Sequence, residues 1–364
     1  MAITFEEFKA GLERRSRRRE LLTREGRPFF VLLSQQFNRA DIETLCDTAT
    51  AIRRLDRHVG GRHFLRGVLH GYRIMNLFAQ PSTRTAESFM AAADKLGATS
   101  RLVSDIRTSS FAKGESVEDS VRTLSSFFDA IVTRHGDDDF AMRASWALSN
   151  AGRPIPVISA GSGKNQHVTQ SLLDIYTLRY SFADRGGVDG KNVVIIGDIA
   201  RNRAARSLAY LLTRFERPRI HFVSPAAFAP DDALVEYLRK HEVEVDVHPA
   251  LEPVLKKMGK DVDAIYVTRS QQEWDPGGMP DASERGSSRE FVLETEYKSL
   301  IRPDCVIMHP LPRVNELPES WESHPGFVVW RQVRNGMWIR AALFANVTGA
   351  DAEIRQRATR FGLV

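Results

Sequence analysis

From Lys191 onward the chain alternates short β-branched runs with amphipathic segments in strict turn, and few architectures accommodate that pattern. Residues 193–196, 220–223, 243–247, 264–267 and 306–308 predict strands, and residues 206–214, 232–241 and 251–258 predict helices separating several of them. Between residues 40 and 180 the alternation recurs more loosely. There, 41–55 and 86–96 predict helices, 72–78 an extended segment, and 129–133 and 155–159 buried strands. Strand and helix in alternation imply parallel sheets covered on both faces, so the expected fold class is α/β, with two doubly wound parallel-sheet domains. The 364 residues suit two hydrophobic cores rather than one. A last amphipathic stretch, 337–347, is long enough to pack back on the first domain.

Composition excludes several classes. No apolar run approaches the ~18 residues of a membrane span, so a soluble protein with no membrane partner is expected. Cys46 and Cys305 lie too far apart for a disulfide framework or a metal-ligand spacing, and two reduced thiols in a cytoplasmic protein are expected. The net charge of +5 and the cluster Arg14, Arg15, Arg17, Arg18 and Arg19 raise the question of nucleic acid. Glu6, Glu7, Glu13, Glu20 and Glu25 surround that cluster, and no aromatic residues interleave it, so a solvated helix face is expected and no nucleic-acid partner. The same acids argue against a transit peptide, and there is no apolar core of a signal peptide.

Ligands of open α/β sheets bind beyond the carboxyl ends of the strands, which directs attention to polar residues following apolar runs. Pro81-Ser82-Thr83-Arg84-Thr85 opens a helix. Three hydroxyls, a guanidinium and unpaired helix-start amides match phosphate oxygens, although Ser and Thr are also the preferred capping residues and a plain N-cap is the competing account. Arg134 follows a buried strand, where its charge calls for a counter-ion or an anionic ligand. His167, Thr169 and Gln170 sit before a helix in a segment with Gly161, Gly163 and Gln166. In the second half, VVIIGDIARNRAARSL resembles a nucleotide-binding turn but lacks the G-x-G-x-x-G spacing, so a dinucleotide is not expected. Arg201, Arg203 and Arg206, with Arg269 and Gln271 after a later strand, suit a small dianion instead. No His, Cys or carboxylate pattern suggests a metal, no Ser-His-Asp arrangement suggests an acyl-enzyme, and no cofactor is expected.

Taken in order, S-T-R-T, R-H after a strand, N-Q-H-x-T-Q and H-P-L-P-R resemble the aspartate and ornithine carbamoyltransferase family, from about Leu32 to near the C-terminus. H-P-L-P-R-V-N-E with T-R-S-Q resembles the aspartate-specific branch; the ornithine branch usually has cysteine where Pro310 stands. The resemblance implies transfer of the carbamoyl group of carbamoyl phosphate to L-aspartate, an early step of pyrimidine synthesis. It implies that Ser82, Thr83, Arg84 and Thr85 hold the phosphate, that Thr85, Arg134 and His167 contact the carbonyl oxygen, and that Gln170 contacts the amino group. Arg203, Arg269 and Gln271 would hold the carboxylates of aspartate, and Pro310 and Leu311 would present backbone carbonyls. Family members are homotrimers with shared sites, so Ser109 and Lys113 would be lent by a neighbouring subunit, with a larger assembly left open. The implied division is an extension at 1–31, a carbamoyl-phosphate-binding domain at 32–167 completed by a helix at 337–364, and an aspartate-binding domain at 168–336.

The chain departs from the family pattern at Gln80, Ala86, Gly136, Val168 and Trp274. Gln80 and Trp274 replace a Glu and an Arg that pair in the closed state of relatives, and losing both avoids stranding one charge. Three other readings stay open: a carbamoyltransferase with a different acceptor, a non-catalytic homologue serving as a partner subunit, and a nucleic-acid-binding protein.

Overall fold

The structure, a computed structural model, describes residues 3–104, 114–163, 166–269 and 291–363. The chain divides into two units, Met1–Thr169 with Gly336–Val364, and Gln170–Asn335.

The first unit opens with helices α1 (Phe5–Glu13) and α2 (Arg15–Leu22) and a two-stranded antiparallel ribbon, β1 (Thr23–Arg24) with β2 (Arg27–Pro28). There follow β3 (Phe30–Val31), α3 (Arg39–Leu55), α4 (Val59–Val68), β4 (Arg73–Phe78), α5 (Thr83–Lys95) and β5 (Thr99–Val103). The unit continues through α6 (Val117–Ser125), β6 (Ala130–His135), α7 (Phe140–Ser149) and β7 (Val157–Ser162). Its parallel sheet has the order β3-β7-β6-β4-β5. From β4 the chain steps outward to β5 and then returns to the other side as β6, so strand order reverses between β4 and β6.

Residues 1–31, expected as an extension, belong to this unit. Thr4 caps α1 reciprocally with Glu7: the Thr4 hydroxyl accepts from the Glu7 amide at 3.2 Å, and the Glu7 carboxylate accepts from the Thr4 amide at 2.7 Å. Phe8, Leu12 and Leu22 are buried in one cluster with Leu77, Ile131, Phe140 and Leu148. Trp146 donates its indole N–H to the Ile3 carbonyl at 2.8 Å, and Lys9 pairs with Asp139 at 2.6 Å. Strand β5 was not foreseen. Most of its Thr-Ser-Arg-Leu-Val sequence is exposed on a sheet edge, so it carries no apolar run to mark it.

Helix α8 (Val168–Ser181) leads into the second unit, formed by β8 (Asn192–Ile196), α9 (Arg203–Leu212), β9 (Arg219–Val223), α10 (Asp232–Lys240) and β10 (Glu244–His248). Then come α11 (Leu251–Met258), β11 (Ala264–Val267) and β12 (Val306–Met308). This sheet is also parallel, in the order β10-β9-β8-β11-β12, and reverses between β8 and β11. Val194, Ile196, Ile265, Val267 and Ile307 pack with Leu251, Leu255 and Trp321 in its core. Helix α12 (Val329–Thr348) begins here and, from Gly336, returns to the first unit, followed by α13 (Asp351–Arg360). There the Phe344 ring meets the edge of Phe89 with centroids 5.7 Å apart, Arg340 donates to the Ser88 hydroxyl at 2.6 Å, and Arg355 donates to Thr48 at 2.7 Å. The expected single terminal helix is thus two, separated at Gly349 with φ +83°.

A buried carboxylate organises the second unit. Asp174 of α8 is fully buried; its Oδ1 accepts from Gln170 Nε2 at 3.0 Å and Gln332 Nε2 at 2.7 Å, and its Oδ2 accepts from the Tyr266 hydroxyl at 2.8 Å. Three donors from α8, α12 and β11 compensate the desolvation of one charge. Burial, then the charge of Asp174, pushes the Tyr266 hydroxyl well above its ordinary pKa, so it remains a donor. Asp174→Ala would strand these donors at about 1–3 kcal/mol each. The unfolding free energy from urea denaturation is expected to fall by roughly 3 kcal/mol or more, and a wild-type midpoint would refute this role. In the first unit, Gly97 closes α5 at φ +81°, and a Cβ there would lie 1.8 Å from the Arg66 carbonyl oxygen. Gly97→Ala is expected to lower stability by about 2–4 kcal/mol in the same measurement.

Candidate active site

In the first unit the reversal of strand order brings two predicted segments together. β4 and β6 are neighbours, with Phe78 registered on Arg134, and the Gln80 amide donates to the Arg134 carbonyl at 3.2 Å. The S-T-R-T turn and Arg134 therefore leave the sheet side by side, at the kind of switch point where open α/β sheets bind ligands. Ser82 stands at the N-cap of α5 but makes no capping hydrogen bond; its hydroxyl donates to Thr85 Oγ1 at 3.0 Å. Ser82 thus occupies the N-cap position without acting as a side-chain cap. The first turn of α5 contains no acidic side chain, so the positive end of the helix is not offset there. Thr83 and Arg84 are exposed, Ser82 is half-buried and Thr85 is buried. This helix start offers amides, hydroxyls and a guanidinium to an anion.

Arg134 lies at the end of β6, half-buried, with Nη1 donating to the Ala160 carbonyl at 3.1 Å. His167 is buried immediately before α8. Gln166 beside it is a structural clamp: its Oε1 accepts from the Ser34 amide at 2.7 Å, and its Nε2 donates to Gln35 Oε1 at 2.7 Å. His135 is scaffold too. Its ring stacks on Phe140 at 4.3 Å, its Nδ1 accepts from the Asp137 amide at 2.9 Å, and burial lowers its pKa.

The second unit repeats the arrangement between β8 and β11. The Thr268 amide donates to the Ile196 carbonyl at 2.9 Å, tying the two strand ends together. Gly197, at φ +116°, passes so close that a Cβ would lie 2.3 Å from the Thr268 carbonyl oxygen. Arg203 opens α9, and Arg269 follows β11 by two residues, so both predicted arginines emerge from neighbouring strand ends. The other two arginines of this turn are committed elsewhere. Arg201 binds the buried Asp198 at 2.7 Å and covers the Phe228 ring, and Arg206 binds Asp231 at 2.6 Å. Asn202 caps α9, accepting from the amides of Ala204 and Ala205 at 3.0 and 3.1 Å.

Gln170 has its amide nitrogen held by Asp174, so its carbonyl oxygen is the end presented as an acceptor. Pro310 and Leu311 lie in a turn shaped by His309. The buried His309 Nδ1 accepts from the Leu311 amide at 2.8 Å, its Nε2 donates to Glu316 at 2.8 Å, and its own amide donates to Gln332 Oε1 at 3.0 Å. Burial lowers the pKa of His309 against the opposing pull of Glu316, which keeps this tautomer neutral. Leu311 is held at φ +59° and is joined to Pro312 by a cis bond. Sequence reasoning missed Asp174, Gln332 and Glu316, whose partners lie up to 158 positions away. Of the predicted residues, Ser109, Lys113 and Gln271, and the departure at Trp274, lie outside the described residues.

Comparison with known proteins gives a consistent result. The family model "Aspartate/ornithine carbamoyltransferase, carbamoyl-P binding domain" matches residues 31–180, and the model of the Asp/Orn binding domain matches 189–347. The chain is similar to the chloroplastic aspartate carbamoyltransferase of Oryza sativa, 38% identical over 86% of this chain and 83% of that protein. It is similar also to the catalytic subunit of aspartate carbamoyltransferase from Cellvibrio japonicus, 37% identical over 90% and 94% of the two chains. The catalytic subunit of M. jannaschii aspartate transcarbamoylase superposes with a TM-score of 0.75 at 31% identity, covering 88% of this chain and 97% of that one. The Trypanosoma cruzi aspartate transcarbamoylase, solved with carbamoyl phosphate and aspartate, superposes with a TM-score of 0.73 at 30% identity, covering 86% and 93%. With both domain models matched in order along most of its length, the chain belongs to the aspartate/ornithine carbamoyltransferase family.

Proposed function

We propose that this protein transfers the carbamoyl group of carbamoyl phosphate to the amino group of L-aspartate, giving N-carbamoyl-L-aspartate and phosphate, early in de novo pyrimidine synthesis. The observation that carries this reading is the uncapped start of α5, where Ser82, Thr83, Arg84 and Thr85 stand beside Arg134. Those side chains bind the phosphate, and Thr85, Arg134 and His167 donate to the carbonyl oxygen. Gln170 accepts from the carbamoyl amino group, consistent with the hold of Asp174 on its nitrogen. Arg203, Arg269 and Gln271 bind the carboxylates of aspartate, and Pro310 and Leu311 present carbonyls.

The uncharged amine of aspartate attacks the carbonyl carbon, and negative charge grows on the oxygen. Donors fixed in place stabilise that charge more than they stabilise the ground state. The carbon–oxygen bond to phosphate then breaks, and the leaving phosphate takes the amine proton while Arg84, Lys113 and the α5 amides meet its charge. No covalent intermediate forms on the protein. A large part of the acceleration comes from holding two mutually repelling anions in reactive geometry.

The finer reading is a homotrimer in the cytoplasm, with Ser109 and Lys113 serving a neighbouring subunit's site. An exposed Leu102 on edge strand β5 supports association, and the buried free thiols Cys46 and Cys305 suit a reducing compartment. Lys113→Ala and Arg134→Ala should each be nearly inactive alone yet regain activity when their subunits are mixed. No recovery would place both residues in one subunit's site.

Incubation with carbamoyl phosphate should yield carbamoyl aspartate and phosphate in equal amounts from L-aspartate, and little product from L-ornithine. Arg84→Ala, at an exposed position, should retain the fold while kcat/KM drops by about 10²–10³. A normal rate in that variant would remove the phosphate assignment, and product from ornithine alone would replace the acceptor.

A further inference from the structure

We propose that His221, Asp246 and His248 form a binding site for a divalent transition ion, zinc by ligand chemistry, that clamps edge strand β10 to β9. This inference is independent of the transfer reaction. The sequence shows no such grouping because the ligands come from two strands 25 positions apart. Parallel pairing sets His221 opposite Asp246, and the two-residue period of a strand puts His248 on the face of Asp246. Among the described residues this is the grouping of three His, Cys, Asp or Glu side chains whose ligand atoms converge, all within 4.8 Å of one another.

Two of the three separations match those of ligands sharing one ion. His221 Nδ1 lies 3.2 Å from Asp246 Oδ2 and 3.4 Å from His248 Nε2. Ligands bound to zinc at roughly 2.0–2.1 Å in a tetrahedron are about 3.3–3.4 Å apart. Without an ion, a single proton on His221 Nδ1 would have to serve both neighbours: Asp246 stands at the outer edge of the hydrogen-bond range and His248 beyond it. His221 Nε2 is buried with no hydrogen-bond partner, so coordination at Nδ1, which puts the ring proton on Nε2, has to outweigh one unsatisfied N–H. The positive charge of Arg219, two residues before His221, is taken up by Glu244 at 3.1 Å. His221 is buried whereas the Asp246 side chain is 53% exposed, giving a rigid base with an open approach. Two imidazoles and one carboxylate select zinc, cobalt or nickel over magnesium or calcium, and leave a fourth position for water. β10 is two strands from β8, where the predicted aspartate ligands emerge, which assigns the ion a structural role.

The test uses the full-length protein, stripped with a chelator and desalted, then titrated with zinc in competition with a chromophoric chelator. Cobalt serves as the spectroscopic probe. One equivalent should bind at micromolar affinity or tighter, cobalt should give the intense visible bands of tetrahedral coordination, and zinc should raise the Tm. His248→Gln and Asp246→Asn, both on the accessible side, should weaken binding at least about tenfold and abolish the Tm shift. Carbamoyl transfer should be unchanged in both. Binding only in the millimolar range, an octahedral cobalt spectrum, or undiminished stoichiometry in both variants would overturn the assignment.

Discussion

The carboxylate of Asp174 is the constraint on which the second unit turns. It binds the amide nitrogens of both Gln170 and Gln332, which leaves the two carbonyl oxygens pointing away. Gln332 spends its oxygen on the His309 amide, and His309 in turn holds Leu311 and Glu316. One buried charge thereby sets the polarity of a chain of hydrogen bonds running from α8 to the H-P-L-P turn. Every member of that chain has a defined donor and acceptor end. A polar network buried at this depth is stable only when fully satisfied, and this one is anchored by an anion with three donors.

Both units use the same sheet logic, but they differ at the start of the helix that follows the key strand. In the first unit Ser82 leaves the opening of α5 uncapped, whereas in the second Asn202 closes the opening of α9 with two hydrogen bonds. A phosphate with three oxygens can use helix amides directly. The proposed dicarboxylate depends instead on guanidinium groups, and Arg201 and Arg206 are withdrawn from that task by Asp198 and Asp231. Of the three arginines around the start of α9, two are thus held by aspartates of their own unit.

The sequence was most legible where burial is complete. β11, β12 and α11 lie where their apolar runs predict, because a strand covered on both faces, or a helix with a clean apolar stripe, leaves little ambiguity. β5 escaped because an exposed edge strand needs no apolar residues. β6 and β7 run past their apolar runs, so Arg134 and Ser162 end strands rather than open loops. The candidate binding motifs could be read because helix starts and strand ends announce themselves locally. Their supports could not: Asp174 looks like any helical aspartate until Gln332 and Tyr266 are folded against it, and nothing near Gln166 in sequence shows that Ser34 and Gln35 occupy both ends of its amide.

The first thirty residues separate two meanings of a boundary. Likeness to the family begins at residue 31, yet Phe8, Leu12 and Leu22 lie in the same core as the central strands of the first sheet. What is shared by descent and what must fold together are therefore different stretches of chain. A protein trimmed to its family likeness would keep every residue of the proposed chemistry, yet would bare an apolar floor to water at the place where Trp146 and Phe140 now find cover.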